Sequence, residues 1–318
     1  MLNTIEKFIA NLSFPQKPEG LYEPISYALE IGGKRIRPVL TLLAHALYKP
    51  CDENTLRAAV AVEMYHNHTL LHDDLMDGAE MRRGKPSVYK KWNANTAILS
   101  GDTMLIEAFK LINDCQCERS AEARQLMIET MIGVCEGQQY DMNFETRSDV
   151  TEQEYLEMIR LKTSILLGCA AKLGGIVANA PQADCEALYH FAEKIGIAFQ
   201  VQDDYLDVYG DPAVFGKKIG GDILCGKKTF LLINALQRAN ETQYKELTNL
   251  IESSDIPADE KIARVTTIYN DINIAAITKQ RMADIYDEAR TYFNAINLPA
   301  EQKQPLWDFA ETLLGRKN

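Results

Sequence analysis

The sequence predicts an all-α protein, a single large helical bundle of about ten or more helices, and three observations predict it. Apolar residues recur at three- and four-residue intervals over most of the chain. Alternating β-type runs are scarce. Turn clusters such as GGKRIRP, RRGKP and YGDPAVFGKKIGGD separate the periodic stretches. In chain order the periodic stretches cover roughly 21–31, 38–48, 53–77, 94–113, 119–143, 151–178, 184–208, 227–239, 242–252, 258–293 and 302–315. The 53–77 stretch shows the spacing most clearly, through Leu56, Val60, Met64, Leu71 and Leu75, with Asn54 as its expected N-cap. Pro38, Pro86 and Pro212 stand where helices should start or be interrupted.

The length of 318 residues permits two domains, but no Pro-, Gly- or Ser-rich stretch and no charge run marks a linker, so one domain over 1–318 is expected. A hydrophobic share of 46% and a charged share of 25% exclude a disordered chain. The net charge of −11 opposes general binding to nucleic acid or to an anionic membrane, while leaving room for a local basic pocket. Cysteines at 51, 115, 117, 135, 169, 185 and 225 form an odd, scattered set without CxxC pairs, which reads as free thiols in a reducing compartment. The first residues, MLNTIEKFIANLSFP, lack the basic and apolar regions of a signal peptide. The most apolar stretch, 165–180, is broken by Lys172 and several glycines, so no stable membrane insertion is expected. Together these place the chain in the cytoplasm.

Two aspartate-rich hexads, HDDLMD at 72–77 and QDDYLD at 202–207, carry the chemistry. Residues four apart on a helix lie about 40° apart around its axis, so Asp73 and Asp77 share a face, as do Asp203 and Asp207. Like charges at that spacing destabilise a helix unless a cation intervenes. A hard divalent ion is the natural cation, because Mg²⁺ takes oxygen ligands and is usually held by a few carboxylates plus a substrate phosphate. An exposed acidic face is the commonest fate of such clusters, but two DDxxD motifs arise by chance in roughly a few chains per thousand. The expectation is two helices facing each other across a cleft and holding metal ions against a diphosphate.

An anionic ligand needs further neutralisation, and the turn clusters supply cations. Gly32 and Gly33 precede Lys34, Arg35 and Arg37; Arg82 and Arg83 follow the first hexad; Lys217, Lys218, Lys227 and Lys228 follow the second. Two separate basic groups suggest two phosphate-bearing ligands. The P-loop and GxGxxG patterns are absent, as are a GxSxG elbow and a Cys/His nucleophile pair, which points away from nucleotide binding and covalent acyl chemistry.

The ordered set GGKRIRP, LLHDDLMD, RRGKP, GD at 101–102, GQQYDM at 137–142, KTS at 162–164, FQVQDDYLD and FGKKIGGDILCGKKT resembles the trans-isoprenyl diphosphate synthases, or polyprenyl synthetases, over roughly residues 20–230. The resemblance implies an isoprenoid synthase fold, with isopentenyl diphosphate and an allylic diphosphate as substrates, three Mg²⁺ ions with Mn²⁺ as the substitute, and a homodimer. It implies Asp73, Asp77 and Asp203 as direct metal ligands, with Asp74, Asp204 and Asp207 acting directly or through water. Arg82, Lys162, Lys217 and Lys227 would clasp the allylic diphosphate. Lys34, Arg37, His66 and Arg83 would hold the diphosphate of isopentenyl diphosphate, with Arg35 beside them. Thr163 and Gln200 would face the developing carbocation. The departing pyrophosphate would act as base, which accounts for the lack of a dedicated one.

In this family the helix before the first motif lines the tunnel for the growing product. Thr69 and His68, four and five residues before Asp73, would form its floor, and Tyr65 a second stop one turn deeper. A product of fifteen or twenty carbons is therefore expected, with a longer polyprenyl chain as the alternative. Two other classes compete. A noncatalytic partner subunit would lack aspartates that this chain retains. A metal phosphohydrolase of the HD type would use the His66, His68 and His72 region, which could also be read as zinc ligands, but it predicts neither the second hexad nor the basic turns.

Overall fold

The computed structural model describes residues 1–211, 219–253 and 255–315. Helices dominate, as the periodicity predicts. In order they are α1 (Leu2–Ala10), α2 (Glu19–Glu30), α3 (Ile36–Ala46), α4 (Glu53–Met76), α5 (Val88–Lys91), α6 (Ala94–Asp114), α7 (Ser120–Glu145), α8 (Glu152–Ile159), α9 (Ile165–Val177), α10 (Gln182–Tyr209), α11 (Gly221–Cys225), α12 (Phe230–Arg238), α13 (Glu241–Glu252), α14 (Ala258–Asp271), α15 (Ile274–Ala295) and α16 (Ala300–Leu314). The sheet content among the described residues is one short antiparallel ladder, β1 (Met81–Arg82) with β2 (Lys85–Pro86), built on the RRGKP turn. Pro86 therefore sits in a strand, where its missing N–H costs nothing on an edge.

Several boundaries differ from the sequence reading. α4 is capped by Asp52, not Asn54: the Thr55 amide donates to Asp52 Oδ1 at 2.9 Å and Asp52 N donates back to Thr55 Oγ1 at 3.1 Å. That reciprocal box satisfies two otherwise orphaned donors, which Asn54 could not do alone. Asn54 Oδ1 instead accepts from Gln116 N at 3.0 Å. The periodic run 258–293 breaks into α14 and α15 at Asn273, whose φ of 56° ends one helix and turns the chain into the next. The run 151–178 is interrupted by a π turn at Arg160–Ser164, between α8 and α9. α1 was not read from the sequence. Its Ile5 and Ile9 are buried, and it packs on α3 and α4.

The chain forms two compact units. The first holds Met1–Glu129, Cys169–Tyr189 and Ile296–Leu306. Its axis is the pairing of α4 with α6, where Ala58, Ala61, Val62, Met64 and Tyr65 of α4 and Met104, Ala108 and Ile112 of α6 are buried. The second holds Thr130–Gly168, His190–Ala295 and Trp307–Asn318. Its core includes Tyr155, Val201, Phe230, Leu231, Val265, Ile268 and Tyr269. Each unit carries one aspartate motif at the C-terminal end of a long helix, α4 or α10. All seven cysteines are free, and no helix among the described residues is long and apolar enough to cross a membrane.

Candidate active site

In the first unit the motif occupies the last turn of α4. Asp74 is buried at 3% exposure, while Asp73 is half-buried and Asp77 exposed. The helical spacing produces this split: Asp74 lies about 100° around the axis from Asp73 and so faces inward. Arg82 Nε on β1 donates to Asp74 Oδ1 at 2.9 Å and Nη2 donates to the same oxygen. Burial raises the Asp74 pKa although Arg82 opposes it; burial also works against the Arg82 charge, but the Asp74 bond and the charges of Asp74, Asp73 and Asp77 together outweigh it and raise the Arg82 pKa. Arg82 is thereby fixed beside the motif.

The structure gathers Arg35, Arg37, His66, Arg82 and Arg83 into one positive field. The His66 ring is held well below its ordinary pKa, first by burial and then by Arg37, Arg83, Arg82 and Arg35. Both effects favour its neutral form. Burial lowers Arg37 to about 10, with Glu63 opposing and Arg83 adding to the effect. The Nε of Arg37 is buried and lacks a protein partner. Gly33, at φ 151°, lies against Arg83 so closely that a Cβ there would come within 2.6 Å of the guanidinium carbon. Lys34 is exposed at the head of this turn.

Within this positive field Arg35 turns inward. Its side chain is fully buried, with Nε donating to Glu6 Oε1 at 2.9 Å, Nη1 to Glu63 Oε1 at 2.8 Å and Nη2 to the Leu29 carbonyl at 2.7 Å. Its role is to anchor the turn. Glu63, Glu6 and Asn67, whose Nδ2 donates to Glu63 Oε1 at 3.1 Å, were not singled out from the sequence. Glu63 left a signal there, as one charge within the apolar run AVAVEMY.

The three histidines do not form a zinc site. The Gly101 carbonyl accepts from His68 Nδ1 at 2.9 Å, and the Ile98 carbonyl from His72 Nε2 at 3.2 Å, both on α6. His66 belongs to the arginine group. Tyr65 is buried with its ring 5.5 Å from that of His68, and Thr69 Oγ1 donates to the His66 carbonyl of its own helix at 2.8 Å.

In the second unit the same division recurs on α10. Asp204 is buried at 3% exposure, and Asp203 and Asp207 are half-buried. The Tyr155 hydroxyl donates to Asp204 Oδ2, the Phe230 amide approaches the same oxygen at 3.4 Å, and Gln200 Nε2 donates to Oδ1 at 3.3 Å. Burial and neighbouring Asp222 push Asp204 up to about 7 against the opposing effect of Lys227, Tyr155 and Gln200. Asp207 Oδ2 accepts from the Asp222 amide at 3.0 Å, which ties the motif to α11. Lys227 is exposed. Lys217 and Lys218 lie outside the described residues.

Lys162 and Thr163 sit on the π turn, a local widening found often at functional sites. Lys162 Nζ donates to Asp141 Oδ2 at 2.6 Å, which gives the GQQYDM segment of α7 a role that its sequence did not state. Gln200, through its bond to Asp204, has its amide orientation fixed.

Among the described residues, no three His, Cys, Asp or Glu side chains gather around a point that could hold a metal. Each unit carries two carboxylates one helical turn apart that are not fully buried, Asp73 with Asp77 and Asp203 with Asp207. Such oxygen-only pairs suit a hard ion that keeps waters and draws further ligands from a diphosphate.

The polyprenyl synthetase family model matches residues 18–272. The chain is 43% identical to a geranylgeranyl diphosphate synthase of Methanosarcina mazei over 224 residues, 70% of this chain and 69% of that one. It is 36% identical over 320 aligned positions to a geranylfarnesyl diphosphate synthase of Natronomonas pharaonis, covering 95% and 91% of the two chains. A crystal structure of a geranylgeranyl pyrophosphate synthase superposes with a TM-score of 0.94 at 39% identity, covering 100% of this chain and 98% of that one. The chain belongs to the polyprenyl synthetase family, and it is a prenyl diphosphate synthase, a transferase.

Proposed function

We propose that the protein condenses isopentenyl diphosphate with an allylic diphosphate head to tail, releasing pyrophosphate and an all-trans prenyl diphosphate of fifteen or twenty carbons. One observation carries this reading. Both DDxxD motifs bury the second aspartate against protein partners and leave the first and third less buried, with fixed cations beside the first motif. A merely solvated acidic face needs neither the inward partners nor the arginines.

In this reading Asp73, Asp77, Asp203 and Asp207 hold Mg²⁺, with Asp74 and Asp204 as supports. When bound, the ions supply positive charge to the departing pyrophosphate. Arg82, Lys162 and Lys227 add fixed positive charge there, so the allylic C–O bond breaks with its electron pair on the leaving group. Lys34, Arg37, His66 and Arg83 hold the second diphosphate and set the double bond against the cation. Neutral His66 donates or accepts one hydrogen bond without adding to the crowded positive charge. A new C–C bond forms, and the proton then lost passes to the released pyrophosphate. Thr163 and Gln200 direct oxygens toward the carbocation.

The product stop is assigned to His68 and Thr69, with Tyr65 behind them. The active form is a homodimer, supported by exposed apolar residues on α6 and α7: Leu99 at 59%, Ile106 at 66% and Ile128 at 37% exposure. Incubation with isopentenyl diphosphate and dimethylallyl, geranyl or farnesyl diphosphate plus Mg²⁺, followed by product mass, tests the reading. Elongation of at least one primer is expected; failure with all three defeats it.

A further inference from the structure

We propose that Glu6 and Glu63 are positioning residues for the anion site on the GGKRIR turn, acting through Arg35. This rests on the reading that the neighbouring arginines receive isopentenyl diphosphate.

The turn adopts a backbone that its residues do not favour. Arg35 has φ 47° at the start of α3, a conformation that a non-glycine residue holds only when its surroundings impose it. The imposition is visible. All three guanidinium nitrogens of Arg35 are engaged, by Glu6, Glu63 and the Leu29 carbonyl, at 2.9, 2.8 and 2.7 Å. A planar fork tied on three sides fixes both the position and the rotation of the residue that bears it. Lys34 precedes Arg35 directly and Arg37 lies two residues beyond it, so an error in the Arg35 backbone is passed to both.

Charge works in the same direction. Arg35, Arg37, Arg82 and Arg83 crowd one region, and their repulsion opposes assembly of the site before any anion arrives. Glu63, buried at 2% exposure and itself held by Asn67, is the acid whose field favours the charged forms of Arg37 and Arg83 as well as Arg35. It neutralises the back of the cluster and leaves the front for the ligand. Glu6 comes from α1, which precedes the family match at residue 18. α1 therefore acts as a latch on the site, not merely as packing.

The test compares wild type with Glu6→Gln, Glu63→Gln and Arg35→Lys. Affinity for isopentenyl diphosphate is read by calorimetry, and KM for each substrate and kcat by steady-state kinetics. Ile268→Val, a core change in the other unit, serves as a destabilised control. All three test variants should weaken isopentenyl diphosphate binding and raise its KM about five- to tenfold, with kcat and the allylic KM within about twofold. Arg35→Lys keeps the charge but loses the fork, so its effect separates geometry from charge. Glu6 is half-exposed, and Glu6→Gln is expected to fold even if Glu63→Gln does not. Unchanged affinity in Glu6→Gln, or equal loss in both substrates that Ile268→Val reproduces at matched melting temperature, overturns the proposal. If wild type binds isopentenyl diphosphate without elongating any primer, the functional reading falls while the calorimetric comparison still decides this one.

Discussion

Lys162 Nζ lies 2.6 Å from Asp141 Oδ2, and the backbone that carries this lysine passes so close to Gly137 that a Cβ there would sit 2.3 Å from Lys162 N. Lys162 therefore depends on a glycine one helix away as much as on its own ion partner. Gly137→Ala must push the π turn off α7, at a cost of about 1–3 kcal/mol for an overpacked contact. Misplacing a charge by about 1 Å can cost a factor on the order of 10² in rate. The expected outcome is a kcat loss of that order, larger than the stability loss accounts for. A variant with wild-type kcat would show that Lys162 placement is unimportant.

The split between half-buried and fully buried aspartates predicts two distinct phenotypes. Asp73→Asn and Asp203→Asn should lower kcat by roughly 10³-fold while melting within a few degrees of wild type. Asp204→Ala should instead unfold more readily, because it leaves the Tyr155 hydroxyl and the Phe230 amide unsatisfied, at about 1–3 kcal/mol for each buried group. Chelation of divalent ions should abolish elongation by wild type, and added Mg²⁺ should restore it. Equal melting losses for Asp73→Asn and Asp204→Ala would remove the distinction.

The helices and the aspartate motifs were legible in the sequence because both rest on local periodicity: apolar spacing for the former, the i to i+4 relation of Asp73 with Asp77 for the latter. What the sequence hid is what depends on long-range partners. Arg35, Arg37 and Arg83 look alike as residues in basic turns, and only the positions of Glu6 and Glu63 decide that Arg35 faces inward. The π turn at Arg160–Ser164 has no periodic signature, and its close approach to Gly137 is a long-range contact that local spacing does not encode. α1 is short, and its helical state rests on burying Ile5 and Ile9 against α3 and α4.

Leu99 and Ile106 lie two helical turns apart on α6, and both are more than half exposed. If this stripe closes a dimer, a charge within it is buried on association and must oppose it. Ile106→Glu should yield a monomer by light scattering at micromolar concentration, with far-UV circular dichroism unchanged. A wild-type protein that is already monomeric at that concentration would discard the dimer.

His68 makes stability depend on acid. Its pKa is lowered to about 4, first by burial and then by His72. The ordinary value is 6.5, so between these limits the unfolded chain binds a proton that the folded chain does not. Stability is full above about pH 6.5 and declines as pH falls toward 4, by roughly 2–3 kcal/mol in all. Urea unfolding at pH 7.5, 6 and 5 should show the decline, and His68→Gln should flatten it. The same slope in both proteins would assign the acid sensitivity elsewhere.

The rings of His72, His68 and Tyr65 follow one another along α4, with centroids 4.5 Å apart for the first pair and 5.5 Å for the second. A product growing away from Asp73 along this helix would meet them in succession. One helical turn rises about 5.4 Å, close to the reach of one isoprene unit. His68→Ala should therefore add about one unit before the chain meets Tyr65, and His68→Ala with Tyr65→Ala should add about two. Packing against α6 limits the gain, since the imidazole removed also bonds the Gly101 carbonyl and the neighbouring helix can settle into part of the space. Product mass decides the matter: an unchanged distribution in the double variant would mean that the stop lies on another helix.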